Sequence, residues 1–158
     1  MSEYNLRRWT VQSLAPLHAV AVENPACPGT PDINTVLGWI ELKHVERAPK
    51  RKNTPVRLTH YTPQQRLWSR RRAGAGGLAL MFLQVGQHYL LLNGTTAADY
   101  VGCRTLEELE EVAEFTWHKK PTPQELLEAL ISLYRPWDHS CLLRARIFAS
   151  SDDAKTGG

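Results

Sequence analysis

Two apolar runs separated by a short turn constrain the fold of this 158-residue chain more than any other feature. The runs are LALMFLQV (78–85) and HYLLLN (88–93), and Gly86 lies between them. Short apolar runs bounded by turn residues are typical of buried strands. The pattern therefore predicts a buried β-hairpin around Gly86.

Helix and strand signals alternate in the part of the chain before this hairpin. The first helix is predicted to begin after Ser2, which can cap it, and to end before Pro16. Small and β-favouring residues then predict strands at 18–23, from Asp32 onwards, and at 39–43. Side chains alternate between the faces of a strand, so the segment WIELK (39–43) places its glutamate and lysine on the same face.

A second helix is predicted just ahead of the hairpin. Thr62 can act as its N-cap, Pro63 suits the first helical position, and Gln65 can complete a capping box. Leu67 is expected to face the core, and the glycines from Gly74 onwards end the helix.

The final third of the chain has a different character. Capping boxes and apolar periodicity predict helices at 105–115 and 122–134, and LLRARIF predicts a last strand at 142–148. The polar segment that follows, 149–158, is expected to be a disordered tail.

These signals predict an α/β fold in which a mixed central sheet is flanked by helices. We expect a main domain over residues 1–100 and a helical C-terminal extension over 101–148 that packs on it. The length is sufficient for one compact domain with a core of its own.

Composition excludes several classes of protein. No apolar run is long enough to span a bilayer, and the first residues contain no signal-peptide core. The three cysteines, Cys27, Cys103 and Cys141, are far apart and form no CxxC pair, which argues against a disulfide framework or a structural zinc site. The six histidines do not cluster along the sequence either. We expect a cytoplasmic protein with no membrane association.

The formal charge of +3 conceals an asymmetry along the chain. Residues 1–100 contain twelve Lys and Arg against six Asp and Glu, whereas residues 101–158 contain seven against ten. A basic surface attracts phosphate groups, so the first part of the chain is the better candidate for a nucleic-acid interface.

Three short segments carry the residues best suited to chemistry. They are GTPD (29–32), IELK (40–43) and TPQQRLW (62–68). Asp32 and Glu41 come from neighbouring predicted strands, so their carboxylates can converge on one ion, and Lys43 projects from the same face as Glu41. Asp32 could instead be an ordinary turn residue, and Glu41 with Lys43 an ordinary solvated strand face.

In order and spacing, these segments resemble the PD-(D/E)XK nuclease superfamily, and most closely its VRR-NUC branch of small stand-alone nucleases. The resemblance covers about residues 3–93 and implies a restriction-endonuclease-like fold. It implies that Asp32, Glu41 and the backbone carbonyl of Leu42 bind Mg²⁺ or Mn²⁺, and that Lys43 orients the attacking water or stabilises charge on the phosphate. Gln65 completes the implied catalytic set.

Two further assignments have alternatives. Gln65 could be only the capping-box partner of Thr62, and Gln64 competes with it for the role near the metal. Glu3 could match an acidic residue that assists metal binding in some members, or it could be an ordinary glutamate in the first turn of a helix.

Basic residues on both sides of the motif segments are candidates for contact with DNA. Basic loops are often merely solvated, so the group counts for more than any single member. The candidates lie in the basic loop 44–58 and on the second helix, and they are Arg47, Lys50, Arg51, Lys52, Arg66, Arg70, Arg71 and Arg72.

The expected function is that of a Mg²⁺- or Mn²⁺-dependent DNA endonuclease. Small relatives suggest branched substrates such as flaps or four-way junctions, as for a Holliday junction resolvase, and a homodimer would match the symmetry of a junction. The alternatives are an exonuclease or restriction-like enzyme, a non-catalytic nucleic-acid-binding or regulatory module on the same scaffold, and a chance match of the motif.

Overall fold

The computed structural model describes residues 2–134, which form five α-helices and a six-stranded sheet. A short 3-10 turn, Ala15–Leu17, follows the first helix. In chain order, the elements are α1 (Glu3–Ser13), β1 (Val20–Ala21), β2 (Ile33–Asn34), β3 (Trp39–Val45), α2 (Pro63–Gly74), β4 (Ala79–Val85), β5 (His88–Asn93), α3 (Gly94–Tyr100), α4 (Leu106–Val112), β6 (Phe115–Trp117) and α5 (Pro123–Leu133).

The strands lie in the sheet in the same order as in the chain. Neighbours are antiparallel except β3 and β4, which are parallel, so the sheet is mixed. A parallel pair needs a crossover between its strands, and α2 lies in that connection. The predicted α/β fold with a mixed sheet flanked by helices is therefore confirmed, as is the hairpin of β4 and β5 around Gly86.

Both faces of the sheet are covered. On one face, leucines of α1 and α5 pack with Phe82 and other apolar side chains of β3 and β4. On the other face, Val101 and Leu109 pack with Met81, Leu83 and their neighbours on β5. All seven residues of β4 are buried, which explains why its sequence shows no polar alternation.

The predicted helix at 105–115 ends earlier than expected. It stops at Val112, Ala113 is extended, and Phe115 begins β6. Strand β6 pairs with the outer edge of β5, with Leu91 opposite Phe115, and the Trp117 ring packs edge-on against Phe82. Pairing that edge and burying two aromatic rings outweighs continuation of a seven-residue helix.

Residues 101–134 contribute to the same layers as residues 2–100. Strand β6 extends the sheet, and α5 packs against α1 in the same core. The extension therefore includes a strand that the sequence did not reveal. The predicted strand at 142–148 and the predicted tail at 149–158 lie outside the described residues. No helix among residues 2–134 is long and apolar enough to cross a membrane.

Candidate active site

Asp32 occupies the point where β2 separates from β3. The pairing of these strands ends at Ile33 opposite Ile40, and beyond it Asp32 Oδ2 accepts a hydrogen bond from the Leu42 amide at 2.8 Å. The N–H and C=O of one strand residue point to the same side of the strand. The Leu42 carbonyl therefore lies on the same side of β3 as Asp32.

Glu41 and Lys43 lie on the α2 face of β3, and both are almost completely buried, at 2% and 5% exposure. Glu41 Oε1 accepts from Lys43 Nζ at 2.6 Å and from Gln65 Nε2 at 2.6 Å. Glu41 Oε2 is buried and has no hydrogen-bond partner among the described residues. An unpaired buried carboxylate oxygen is costly, so this atom has capacity for a ligand.

Burial and the neighbouring charge of Asp32 raise the pKa of Glu41 to about 7, although Lys43 acts in the opposite direction. Burial is the larger cause, because it removes water from the charged form. Two carboxylates that repel each other in this way favour a cation between them, which would stabilise the ionised state of both.

Gln65 completes the capping box and also contacts Glu41. Its Oε1 accepts from the Thr62 amide at 2.9 Å, which completes the capping box of α2, while its Nε2 donates to Glu41. Gln64 is exposed and lines a separate pocket that includes Trp68. Of the two glutamines, Gln65 is the one that contacts Glu41. Leu67, which was expected to face the core, is 46% exposed.

Gly29 joins the first motif segment to the helix that carries Gln65. Its φ is +89°, a conformation that favours glycine, and a Cβ there would lie 2.5 Å from the Gln64 carbonyl carbon and oxygen. The GTPD turn and the start of α2 can approach this closely only because residue 29 has no side chain. The glycine of the motif thus allows this turn to pack against the start of the helix that carries Gln65.

Helix α1 supplies two further groups near Asp32. Glu3 and Arg7 line a cavity of about 360 Å³ together with Asp32 and Leu42. Glu3 makes a small contribution to the raised pKa of Glu41. Arg7 lies 3.4 Å from Asp32 Oδ1 and 3.4 Å from Glu23, so it links the two acids. Sequence reasoning missed Arg7, although its spacing of four residues from Glu3 places both on one face of α1.

Tyr61 is a second residue that the sequence did not indicate. Its hydroxyl is buried without a hydrogen-bond partner among the described residues, and the Arg66 guanidinium lies 4.1 Å from the ring centroid. Burial is the main cause that raises the pKa of Tyr61 to about 12, and the charge of Glu41 acts in the same direction. The phenol therefore stays protonated and can donate a hydrogen bond.

The donors at this site fit a hard divalent cation. Asp32, Glu41 and the Leu42 carbonyl all offer oxygen, and the unpaired Glu41 Oε2 is the buried atom that such an ion would satisfy. Glu41 Oε1 is held by Lys43 and Gln65, so that oxygen is already oriented. A backbone carbonyl as third protein ligand would leave several positions on the ion for water.

The predicted DNA-binding residues fall into three groups. Those of the loop are exposed, and Lys52 pairs with Glu107 at 3.3 Å. On α2, Arg66 donates to the carbonyls of Ala98 and Val101 in and just beyond α3, and Arg70 pairs with Asp99. Arg71 and Arg72 form the third group; both are exposed, and Arg72 stacks over the rings of Trp39 and Trp68. The exposed loop residues of the first group are Arg47, Lys50, Arg51 and Lys52.

Comparison with known proteins gives no assignment. No protein-family model matches the chain, and no match is found among curated proteins. The case for an active site therefore depends on the contacts of Glu41 with Lys43 and Gln65 and on the charge of Asp32, which acts on the same carboxylate.

Proposed function

We propose that the protein is a Mg²⁺- or Mn²⁺-dependent DNA endonuclease of the PD-(D/E)XK type. The observation that carries the proposal is the buried Glu41 carboxylate, on which the charge of Asp32 acts. One of its oxygens accepts from Lys43 and Gln65, and the other has no partner among the described residues. A buried acid with a strongly raised pKa and a specific charged neighbour is more typical of a functional site than of a core.

Each residue has a defined part in this proposal. Asp32 and Glu41 bind the ion, and the bound ion supplies a water of lowered pKa and neutralises charge on the phosphate. Lys43 is held 2.6 Å from Glu41, where its ammonium group can orient that water or stabilise charge on the phosphate. Gln65 keeps the Glu41 carboxylate in one orientation from the start of α2.

We further propose that the substrate is branched DNA and that the active form is a homodimer. The exposed basic loop and the exposed Arg71 and Arg72 of α2 support a phosphate-binding surface. A two-fold enzyme suits a four-way junction, because the junction presents two equivalent strands for cleavage. Cys27 and Cys103 are free and exposed, which supports a reducing compartment such as the cytoplasm.

The test is cleavage of labelled duplex, single-stranded, flap and four-way-junction DNA in Mg²⁺, Mn²⁺ or EDTA. Asp32→Asn and Glu41→Gln should each reduce cleavage by a factor on the order of 100 or more, because each removes a ligand charge. Glu23→Gln is the matched control, since Glu23 also contacts Arg7 but is not a proposed ligand. Cleavage at the normal rate by either ligand variant would refute the assignment.

Lys43→Ala separates catalysis from binding. The variant should lose turnover and retain affinity for DNA, because the lysine is buried beside Glu41 and acts on the water and on charge at the reacting phosphate. Lys43→Arg should restore little activity, since a planar guanidinium differs in shape and reach from an ammonium group. Equal losses of binding and cleavage would make Lys43 a simple phosphate contact instead.

A further inference from the structure

Three potential metal ligands from three different elements meet away from the candidate active site. His88 begins β5, Glu110 lies on α4, and His118 follows β6. His88 Nδ1 lies 2.7 Å from Glu110 Oε1, His118 Nδ1 lies 3.7 Å from the same oxygen, and the two Nδ1 atoms are 3.3 Å apart. Among residues 2–134, this is the one group of three His, Cys, Asp or Glu side chains whose ligand atoms all lie within 4.8 Å of one another.

The topology of the sheet explains why these three side chains lie close together. Tyr89 pairs with Trp117, so the residues next to them, His88 and His118, lie side by side at the end of the β5–β6 ladder. Alternation along β5 places His88 on the same face as Leu90, which is the face covered by α4. Glu110 reaches the pair from α4, whose start is fixed by the capping box of Thr105.

The distances suit a small divalent ion with nitrogen and oxygen ligands. A tetrahedral site with metal–ligand distances of about 2.0–2.1 Å has its ligand atoms about 3.3–3.4 Å apart. The three observed separations, 2.7, 3.3 and 3.7 Å, lie on both sides of that value. Two imidazoles and one carboxylate are a ligand set that Zn²⁺ uses in proteins, with the fourth position open to water.

The surroundings leave room for that fourth ligand. His88 and Glu110 line a cavity of about 310 Å³ together with residues of the basic loop, including Arg51 and Lys52. His118 is mostly exposed, at 72% of its side chain, so an ion can reach the group without rearrangement of the core.

We propose that His88, Glu110 and His118 bind one Zn²⁺ ion at a site separate from the Asp32–Glu41 centre. The ion clamps the short helix α4 to the end of the β5–β6 ladder, which otherwise depends on the packing of Leu109 and its neighbours. Imidazole nitrogens suit Zn²⁺, whereas an all-oxygen centre suits Mg²⁺ or Mn²⁺, so with the proposed function one chain would carry sites for two different metals.

The test is zinc binding by the full chain, measured by competition with a chromogenic chelator and by thermal unfolding. The wild type should bind zinc and unfold at a temperature several degrees higher when zinc is present, because the ion binds the folded state. His118→Ala should lose one equivalent of bound zinc and the rise in unfolding temperature; an exposed residue can be replaced without loss of the fold. Glu110→Gln should weaken binding at least tenfold.

Two controls make the outcome specific. His60→Ala removes an exposed histidine elsewhere in the described chain and should leave zinc binding and the stabilisation unchanged. Asp32→Asn should also bind zinc normally, so failure of the nuclease proposal and failure of this one can be told apart. A wild type that binds no zinc, or a His118→Ala protein that binds it as the wild type does, would overturn the proposal.

Discussion

The two oxygens of the Glu41 carboxylate have different environments, and this difference determines how the stability of the protein without a metal depends on pH. Oε1 is held by an ammonium and an amide, whereas Oε2 is buried without a partner among the described residues. The raised pKa shows that the charge is only partly compensated.

The first prediction concerns stability against pH in EDTA. The folded protein holds the Glu41 proton up to about pH 7, whereas the unfolded chain releases it near 4.5. The native state therefore binds more protons between these values, so stability falls as pH rises through this window, by ~3 kcal/mol at most. Glu41→Gln should remove this slope, as measured by urea unfolding at pH 5 and pH 8.

Glu23→Gln serves as the control for that measurement, because Glu23 is exposed. It should unfold with the same dependence on pH as the wild type. Equal slopes for the wild type and Glu41→Gln would mean that the Glu41 carboxyl is well solvated.

The second prediction separates the two contacts of Gln65. Gln65→Ala loses both the cap and the bond to Glu41, so it should cost about 1–2 kcal/mol of stability and also reduce cleavage. Gln65→Glu retains an oxygen for the Thr62 amide but places a second carboxylate beside Glu41. We expect Gln65→Glu to be more stable than Gln65→Ala and to lose as much cleavage activity. Urea unfolding would measure the stability, and cleavage of four-way-junction DNA would measure the activity.

If Gln65→Glu cleaved normally, Gln65 would act as a helix cap alone. If Gln65→Ala had wild-type stability, the capping box would contribute little to α2.

At the scale of elements, substitutions in α5 test how strongly this last helix of the described chain is packed against the core that it shares with α1. Leu130 is 1% exposed in the core shared with α1, whereas its neighbour Ile131 is 52% exposed. Leu130→Ala should cost about 2–5 kcal/mol, because it leaves a cavity between the two helices. Ile131→Ala, with a side chain of the same size, should cost less than about 1 kcal/mol by the same urea unfolding measurement.

Comparable losses for both variants would instead indicate that Ile131 is buried in solution, as at an interface between two copies of the chain. Light scattering would then show the larger mass.

Strong local signals made most elements predictable. The capping boxes of α2 and α5 and the apolar runs of β4 and β5 specify structure through near neighbours in the chain. Strand β6 was missed because three residues carry no periodicity, and their strand conformation depends on the edge of β5. Helix α3 was missed because seven residues are too few to form a stable helix without tertiary support, and its Gly and Thr residues are weak helix formers.

The same distinction between local signals and tertiary contacts applies to the candidate active site. Asp32, Glu41 and Lys43 could be selected from spacing along two strands, whereas Arg7 and Tyr61 come close only through tertiary packing. The orientation of Arg66 towards Ala98 and Val101 depends on α3, which the sequence did not indicate. The pairing of His88 with His118 likewise depends on β6.

At the scale of the whole molecule, a further prediction concerns the charge of the surface. Replacing Lys50, Arg51 and Lys52 together with alanine should weaken binding to all DNA sequences alike. It should lower the slope of log K against log salt by about one unit for each phosphate that the variant no longer neutralises. Fluorescence anisotropy at several salt concentrations would measure both quantities.

Arg8→Ala is a suitable control, because Arg8 is an exposed cation of α1 outside the loop. An unchanged salt slope in the triple variant would show that the loop is solvated and does not bind phosphate. Because Lys52 already pairs with Glu107, we expect Arg51 and Lys50 to account for most of the change.

The parallel pairing of β3 with β4 also has a consequence for how the protein folds. Trp39 pairs with Ala79 across a long connection that contains α2, whereas β4 and β5 meet through a tight turn. Local contacts form before those that close a long loop, so the hairpin should form early and β3 should join it late. The hydrogen bond of Glu41 with Gln65 joins β3 to α2, so it depends on that late placement of β3. A nascent or partly folded chain would therefore lack the assembled contact between Glu41 and Gln65.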